Sequence, residues 1–302
     1  MEDCIIVGAG PAGLTSAIYL ARFHLSIRLF DCGTSRAALI PRTRNHAGYP
    51  EGISGPDLLA RMLAQAETYG AHRELAQVTR ITREHDGFTV AVEGREFRAR
   101  AVLVATGTVN HRPQGMDDAL HDEALATGLL RYCPICDGYE VTDKRVGVIG
   151  SGDHGTRETL FLRGYTADLT LIAPGAEHEL DPPCENELER AGIVRVDGPC
   201  GGYAIEHGRL AVDTAHGRLA FDSIYPALGS TVRSELAAAA GALTSEDGAL
   251  VVDAHQRTNI SGLFAAGDVV KGLDQISHAM GEGGVAATAI RNYLGELQPL
   301  RR

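Results

Sequence analysis

The chain has 302 residues and a formal net charge of −11, an acidity that excludes a sequence-independent grip on nucleic acid, which needs clustered cations to displace counterions. No apolar run reaches bilayer-spanning length, and Met1-Glu2-Asp3 leads straight into a strand pattern, so a cytoplasmic protein with neither signal peptide nor membrane contact is expected. Six cysteines are too few and too scattered for a secreted disulfide scaffold, and Cys4, Cys32, Cys184 and Cys200 lie singly, so no structural metal is expected.

In chain order, Cys4-Ile5-Ile6-Val7 is a buried strand pattern. It breaks at Gly8-Ala9-Gly10-Pro11-Ala12-Gly13 and resumes from Leu14 to Leu20 with helical spacing. In such a turn the first glycine makes the bend, the second lets backbone approach a pyrophosphate, and the third lets helix and strand touch. The helix N-terminus then faces the anion. A second strand, 26–30, ends in Asp31, where a carboxylate takes the ribose hydroxyls of an adenine dinucleotide. Residues 45–55 read as a Gly/Pro-rich loop before a helix from about Pro56 to Tyr69. Strands 89–92 and 96–99 flank a Glu93-Gly94 turn and predict a small antiparallel meander. A further buried strand from Ala101 ends in Ala105-Thr106-Gly107, whose small residues leave room for a flat cofactor.

Cys133-Pro134-Ile135-Cys136-Asp137-Gly138 is hard to explain as packing. Two cysteines at this spacing can close a small disulfide loop, and their thiolate is stabilised at a helix N-terminus. Asp137 directly after the pair can pass a proton as the disulfide opens and closes.

The strand–turn–helix pattern then repeats. Strand 145–149 is followed by Gly150-Ser151-Gly152-Asp153-His154-Gly155 and a helix from Thr156 to Arg163, giving two dinucleotide folds in one chain. After the next strand, 167–173, an NADP site should present arginines for the 2′-phosphate, and the chain offers Pro174-Gly175-Ala176-Glu177-His178. NADPH is therefore carried as an open cofactor beside a firmer dinucleotide site at the N-terminus. A hairpin (210–213 with 218–222), a strand from Ser223 to Gly229 and an apolar segment ending in Gly267-Asp268 follow. Asp268 emerges at a strand end, where it can bond a ribityl hydroxyl. The closing helix, about Gln275 to Leu294, carries His278, which reads as a surface histidine or as a base.

Taken together, GAGPAG at the N-terminus, Ala-Thr-Gly at 105–107, CPICDG, the second GxGxxG and Phe-Ala-Ala-Gly-Asp at 264–268 resemble the low-molecular-weight thioredoxin reductases along the whole chain. The resemblance implies an α/β fold with two Rossmann-like domains. A discontinuous FAD domain (1–110 and 227–302) would hold an inserted nucleotide domain (111–226) that carries the CxxC. It implies a homodimer, and FAD surrounded by Gly8, Gly10, Pro11, Ala12, Asp31, Asn45, Thr106, Asp268, Gln275 and Ile276. Cys136 would lie against the flavin, Cys133 would meet the substrate disulfide, and Asp137 would carry the proton. Gly150, Gly152 and Gly155 would hold a nicotinamide nucleotide, although the family's His-Arg-Arg motif is absent and its GGGxxA reads GSGDHG.

The expected activity is FAD-dependent thiol-disulfide exchange with a thioredoxin-like protein or a small disulfide or dithiol. Three alternatives share the same residues: a dithiol oxidase that uses oxygen, a reductase fed by a donor such as ferredoxin, and a flavin-linked redox sensor that is not an enzyme.

Overall fold

The computed structural model describes residues 1–300. The first apolar run is β1 (Glu2–Val7), and Gly8 turns the chain into α1 (Pro11–Arg22). Gly8 has a φ of +106°, and a Cβ on it would lie 2.3 Å from the Ala105 carbonyl oxygen, so the turn requires glycine. β2 (Ile27–Asp31) pairs parallel with β1. α2 (Gly55–Thr68) follows, capped by Ser54, whose Oγ accepts from the Asp57 N–H at 3.1 Å. β3 (Arg73–Leu75) adds to the edge beyond β2.

β4 (Val78–Glu84), β5 (Gly87–Val92) and β6 (Arg95–Val104) form the antiparallel meander. The sequence pattern separates 96–99 from 101–104, yet the two are one ten-residue strand. The outer half of β6 pairs antiparallel with β5, and its inner half pairs parallel with β1. The shift from alternating to continuous apolar residues therefore marks a change of neighbours, since a strand between parallel partners is buried on both faces.

β7 (Thr108–Asn110) leaves this sheet. Beyond it come α3 (Asp118–Ala126), the short α4 (Pro134–Asp137), β8 (Val146–Ile149), α5 (Gly152–Leu162), β9 (Leu169–Ile172), α6 (Pro182–Arg190) and β10 (Val194–Val196). α5 begins at Gly152, four residues ahead of the Thr156 start expected from its apolar spacing. β11 (Gly201–Glu206), β12 (Arg209–Thr214) and β13 (Gly217–Phe221) make a separate antiparallel sheet, so the expected hairpin is two of its three strands. β14 (Ser223–Pro226) returns beside β8 and completes a parallel sheet ordered β10-β9-β8-β14.

β15 (Ser230–Val232) pairs antiparallel with β7, so the two chain crossings between the sheets form one two-stranded ribbon. After α7 (Glu235–Ala239), β16 (Leu263–Ala265) joins β6 in parallel, and α8 (Ile276–Leu297) closes the chain. The large sheet is ordered β3-β2-β1-β6-β5-β4, with β16 also on β6. One apolar core lies between this sheet and α1, α2 and α8, a second lies on its opposite face, and two more fill the inserted part. Among the described residues no helix is long and apolar enough to cross a membrane.

Candidate active site

The N-terminus of α1 opens on a cavity of about 930 Å³, a volume suited to a large organic cofactor. Gly10 precedes α1 and no side chain caps it, so the N–H groups of the first turn remain available to an anion. Gly8, Gly10, Pro11 and Ala12 all line the cavity. Asp31 braces the turn: its Oδ1 accepts from the Ala9 N–H and its Oδ2 from the Gly33 N–H, both at 3.1 Å. Asn45, Thr106, Asp268, Gln275 and Ile276 complete the lining expected from the sequence.

Thr106 and Asp268 are already engaged. The Thr106 hydroxyl donates to the Arg233 carbonyl at 2.6 Å, tying the cavity wall to the end of the ribbon. Asp268 accepts from Arg36 Nη1 at 3.2 Å, and the same nitrogen reaches Asp274 at 2.8 Å. Burial pushes the Asp268 carboxyl above the usual carboxylate range and the neighbouring Asp274 adds to this, while Arg36 opposes both. The turn that presents Asp268 is held by Glu282, whose Oε2 accepts from the Gly267 N–H at 2.7 Å and whose Oε1 meets His278 Nε2 at 3.0 Å. His278 is thus the partner of a carboxylate on its own helix.

Cys133 and Cys136 form a disulfide that lines the same cavity. The Gln275 amide N–H group donates to both sulfurs, at 3.4 Å to Cys133 and 3.3 Å to Cys136. Asn45 Nδ2 donates to the Gln275 carbonyl oxygen at 3.0 Å, which fixes the orientation of that amide. Asn45 and Gln275 come from the large sheet's part of the chain and the sulfurs from the inserted part, so this contact joins the two. A second link is Arg44 with Glu140, at 3.5 Å.

Asp137 is gripped at both oxygens. Arg131 Nη1 donates to Oδ2 at 2.9 Å, and the hydroxyl of the fully buried Tyr225 donates to Oδ1 at 2.8 Å. Burial raises the Asp137 carboxyl and Glu140 adds slightly to this, while Arg131 and Tyr225 pull the other way. Sequence reasoning singled out Asp137 and missed its two partners. Their signals were an arginine in the apolar run Leu129-Leu130-Arg131-Tyr132 and a tyrosine in a buried strand, where a hydroxyl needs a partner.

The second glycine turn is built differently. Gly150 and Gly155 abut, since a Cβ on Gly155 would lie 2.8 Å from the Gly150 carbonyl carbon. That contact packs helix against strand. Ser151 Oγ accepts from the Glu179 N–H at 2.6 Å, so the loop after β9 is tied across the start of α5, and the Glu179 carbonyl oxygen faces Gly152. Three carboxylates lie there, Asp153 in the first turn and Glu177 and Glu179 after β9, and the one arginine of that turn of α5, Arg157, is paired to Asp153 at 3.0 Å. Glu158, one turn further along α5, is pushed up to about 7 by burial, with Arg36 opposing, and its Oε2 is buried without a partner. These residues do not fit a 2′-phosphate, which calls for cations and open N–H groups.

A family model described as pyridine nucleotide-disulphide oxidoreductase matches residues 2–283. The chain belongs to this family. Thioredoxin reductase from Listeria innocua is 30% identical, with 98% of this chain and 95% of the relative covered. The solved thioredoxin reductase of Streptococcus pyogenes superposes with a TM-score of 0.87 at 25% identity, covering 98% of this chain and 99% of its own. Thioredoxin reductase from Lactococcus lactis, solved in what its authors name the FR conformation, is 28% identical and covers 98% and 100% of the two chains, with a TM-score of 0.62. Within the pyridine nucleotide-disulphide oxidoreductases this chain therefore has the two-part Rossmann-like fold of the low-molecular-weight thioredoxin reductases, and it is an FAD-dependent disulfide oxidoreductase.

Proposed function

We propose that the chain moves electron pairs between FAD in the 930 Å³ cavity, the Cys133/Cys136 disulfide and a thiol or disulfide substrate. The observation that carries this reading is that the disulfide and the uncapped start of α1 open on one cavity. FAD, when bound there, supplies an acceptor and donor of an electron pair. Gly8, Gly10, Pro11 and Ala12 would take its pyrophosphate on the N–H groups of α1 and the positive end of its macrodipole. Asp31, Asn45, Thr106, Asp268, Gln275 and Ile276 would hold the rest. Gln275 keeps both sulfurs turned toward the cavity, and Asp137 takes up or returns the proton that accompanies opening of the disulfide. Cys136 would face the flavin and Cys133 the substrate, a thioredoxin-like protein or a small disulfide or dithiol.

The β7/β15 ribbon supports a division into a discontinuous FAD domain (1–110 and 227–302) and an inserted domain (111–226) that carries the redox pair. The fall in TM-score from 0.87 to 0.62 at equal coverage of this chain is what two rigid parts set at different angles would produce. The chain would act as a homodimer in the cytoplasm.

A second reading follows from α5. With the loop at Glu179 tied to Ser151 and carboxylates in place of cations, electrons would enter from a substrate dithiol and leave to oxygen, as in a dithiol oxidase. Anaerobic mixing of the flavoprotein with NADPH, NADH or a dithiol, followed at the flavin band, separates the two readings. Bleaching by dithiol without bleaching by either nucleotide supports the oxidase. Fast bleaching by NADPH supports the reductase and refutes the argument from α5.

A further inference from the structure

The residues around Asp137 say more than that a carboxylate lies beside a disulfide. An unassisted carboxylate at this depth would be driven to its neutral form, because nothing replaces the water it has lost. Here both oxygens have donors. Arg131 Nη1 holds Oδ2 at 2.9 Å, and the Tyr225 hydroxyl holds Oδ1 at 2.8 Å. Each donor is itself fixed. Arg131 Nε donates to the Gly128 carbonyl at 3.0 Å, and its backbone N–H donates to the Ile224 carbonyl at 3.0 Å, one residue before Tyr225. Tyr225 belongs to β14, the fully buried end strand of the inserted sheet, paired with β8. The segment before the first cysteine and a core strand therefore grip one carboxylate from two sides. Glu140, on the turn after α4, is the remaining charged group acting on it and is paired with Arg44.

We propose that Arg131 and Tyr225 are positioning residues for proton transfer: by occupying both oxygens of Asp137 they fix its carboxylate and keep it the proton acceptor while the disulfide is closed. The inference rests on the reading of Asp137 as the proton carrier. In the step it serves, an incoming thiol gives its proton to Asp137 and its sulfur bonds to one cysteine sulfur. The Cys133–Cys136 bond breaks, and the other cysteine leaves as a thiolate. Electrons balance as the substrate thiol and one cysteine share a mixed disulfide. The hydrogen bonds of the Arg131 and Tyr225 side chains run to the carboxylate and to backbone carbonyls, none to a sulfur, so their effect is read through Asp137.

The test uses the oxidised holoenzyme and dithiothreitol as the probe thiol, with opening of the pair read by acid quench, alkylation and mass. Rates at fixed dithiothreitol are taken across roughly pH 5 to 8. The wild-type rate is expected to rise with pH as Asp137 ionises and then level off. Tyr225→Phe removes one donor from the charged form and displaces this limb to higher pH, slowing the foot of the limb about fivefold. Arg131→Met displaces it further, and Arg131→Lys recovers part of the loss. Asp137→Asn removes the levelling altogether. If Tyr225→Phe and Arg131→Met superpose on wild type while Asp137→Asn loses the levelling, the two donors have no such part and the proposal is overturned, with Asp137 retained as carrier. If Asp137→Asn itself superposes on wild type, the carrier reading falls and the proposal falls with it. Should Arg131→Met fail to fold, Tyr225→Phe decides, because it removes one oxygen and leaves the buried ring in place.

Discussion

At the scale of single residues, the site depends on small groups whose neighbours leave no alternative. Gly8 is the sharpest case: replacement by Ala puts a Cβ against the Ala105 carbonyl in a left-handed backbone. Gly8→Ala is expected to purify without flavin, read from the ratio of visible to ultraviolet absorbance. Cys136→Ser should keep flavin and lose disulfide turnover, so retained turnover would remove the pair from the mechanism. Glu158 makes a prediction about stability. Burial lifts its carboxyl from 4.5 to about 7, so the folded chain holds a proton there that the unfolded chain has released. Its contribution is therefore fully present below about pH 4.5 and is lost as pH rises toward 7, at a cost on the order of 2 kcal/mol once the charge is forced on the buried group. Glu158→Gln should raise the melting temperature at pH 8 and leave it nearly unchanged at pH 5.

Gly8, Asp31 and Asp268 stood out in the sequence because each sits at a fixed offset in a strand–turn pattern, and Cys133, Cys136 and Asp137 because two cysteines at CxxC spacing are followed directly by an acid. The side chains that govern them did not. Arg36 and Tyr225 reach their partners across 232 and 88 positions of sequence, whereas Arg131 and Glu282 act across 6 and 15.

At the scale of elements, the helices divide by how they begin. α2, α3 and α6 are capped by Ser54, Asp117 and Asp181, each accepting from a backbone N–H three residues on. α1, α5, α7 and α8 have no side-chain cap, and all but α7 are the helices at the two glycine turns and at Gln275. The start of α1 is thus left open where it meets the cavity. Ser54→Ala should cost about 1 kcal/mol in denaturant unfolding and leave flavin content unchanged. Gly10→Asp tests the converse. The nearest atom to a new Cβ is Ser35 Oγ at 3.4 Å, so the residue has room, but its carboxylate would supply the anion that α1 leaves to the cofactor. It is expected to fold and to lose flavin, measured by the same absorbance ratio.

The elements were read well where periodicity was strong, as in α1, α2, α8, β1 and β8. They were read poorly where neighbours change along one strand. β6 appeared as two strands because its halves face different partners, and the charged, mostly exposed β4 gave no apolar signal.

At the scale of the whole molecule, contacts that join the inserted part to the rest include the β7/β15 ribbon, the Arg44–Glu140 pair and the grip of Gln275 on the sulfurs. The ion pair is half-exposed at Arg44 and so contributes little. The ribbon is covalently continuous and remains in place whatever the angle between the parts. Tyr19 and Phe23 stand exposed on α1, with Tyr19 against Gly284 of α8, an apolar face suited to a second copy of the chain. The proposed homodimer is tested there: Tyr19→Asp is expected to slow sedimentation relative to the unsubstituted chain, and unchanged sedimentation would place any such interface elsewhere.

The amide of Gln275 reaches the sulfurs where they line the proposed cofactor cavity. A compact dithiol can trade electrons with them where they are. Under the proposed function, a protein-sized partner would need the insert to turn and release that amide first, so the size of the customer would dictate whether the machine has to move.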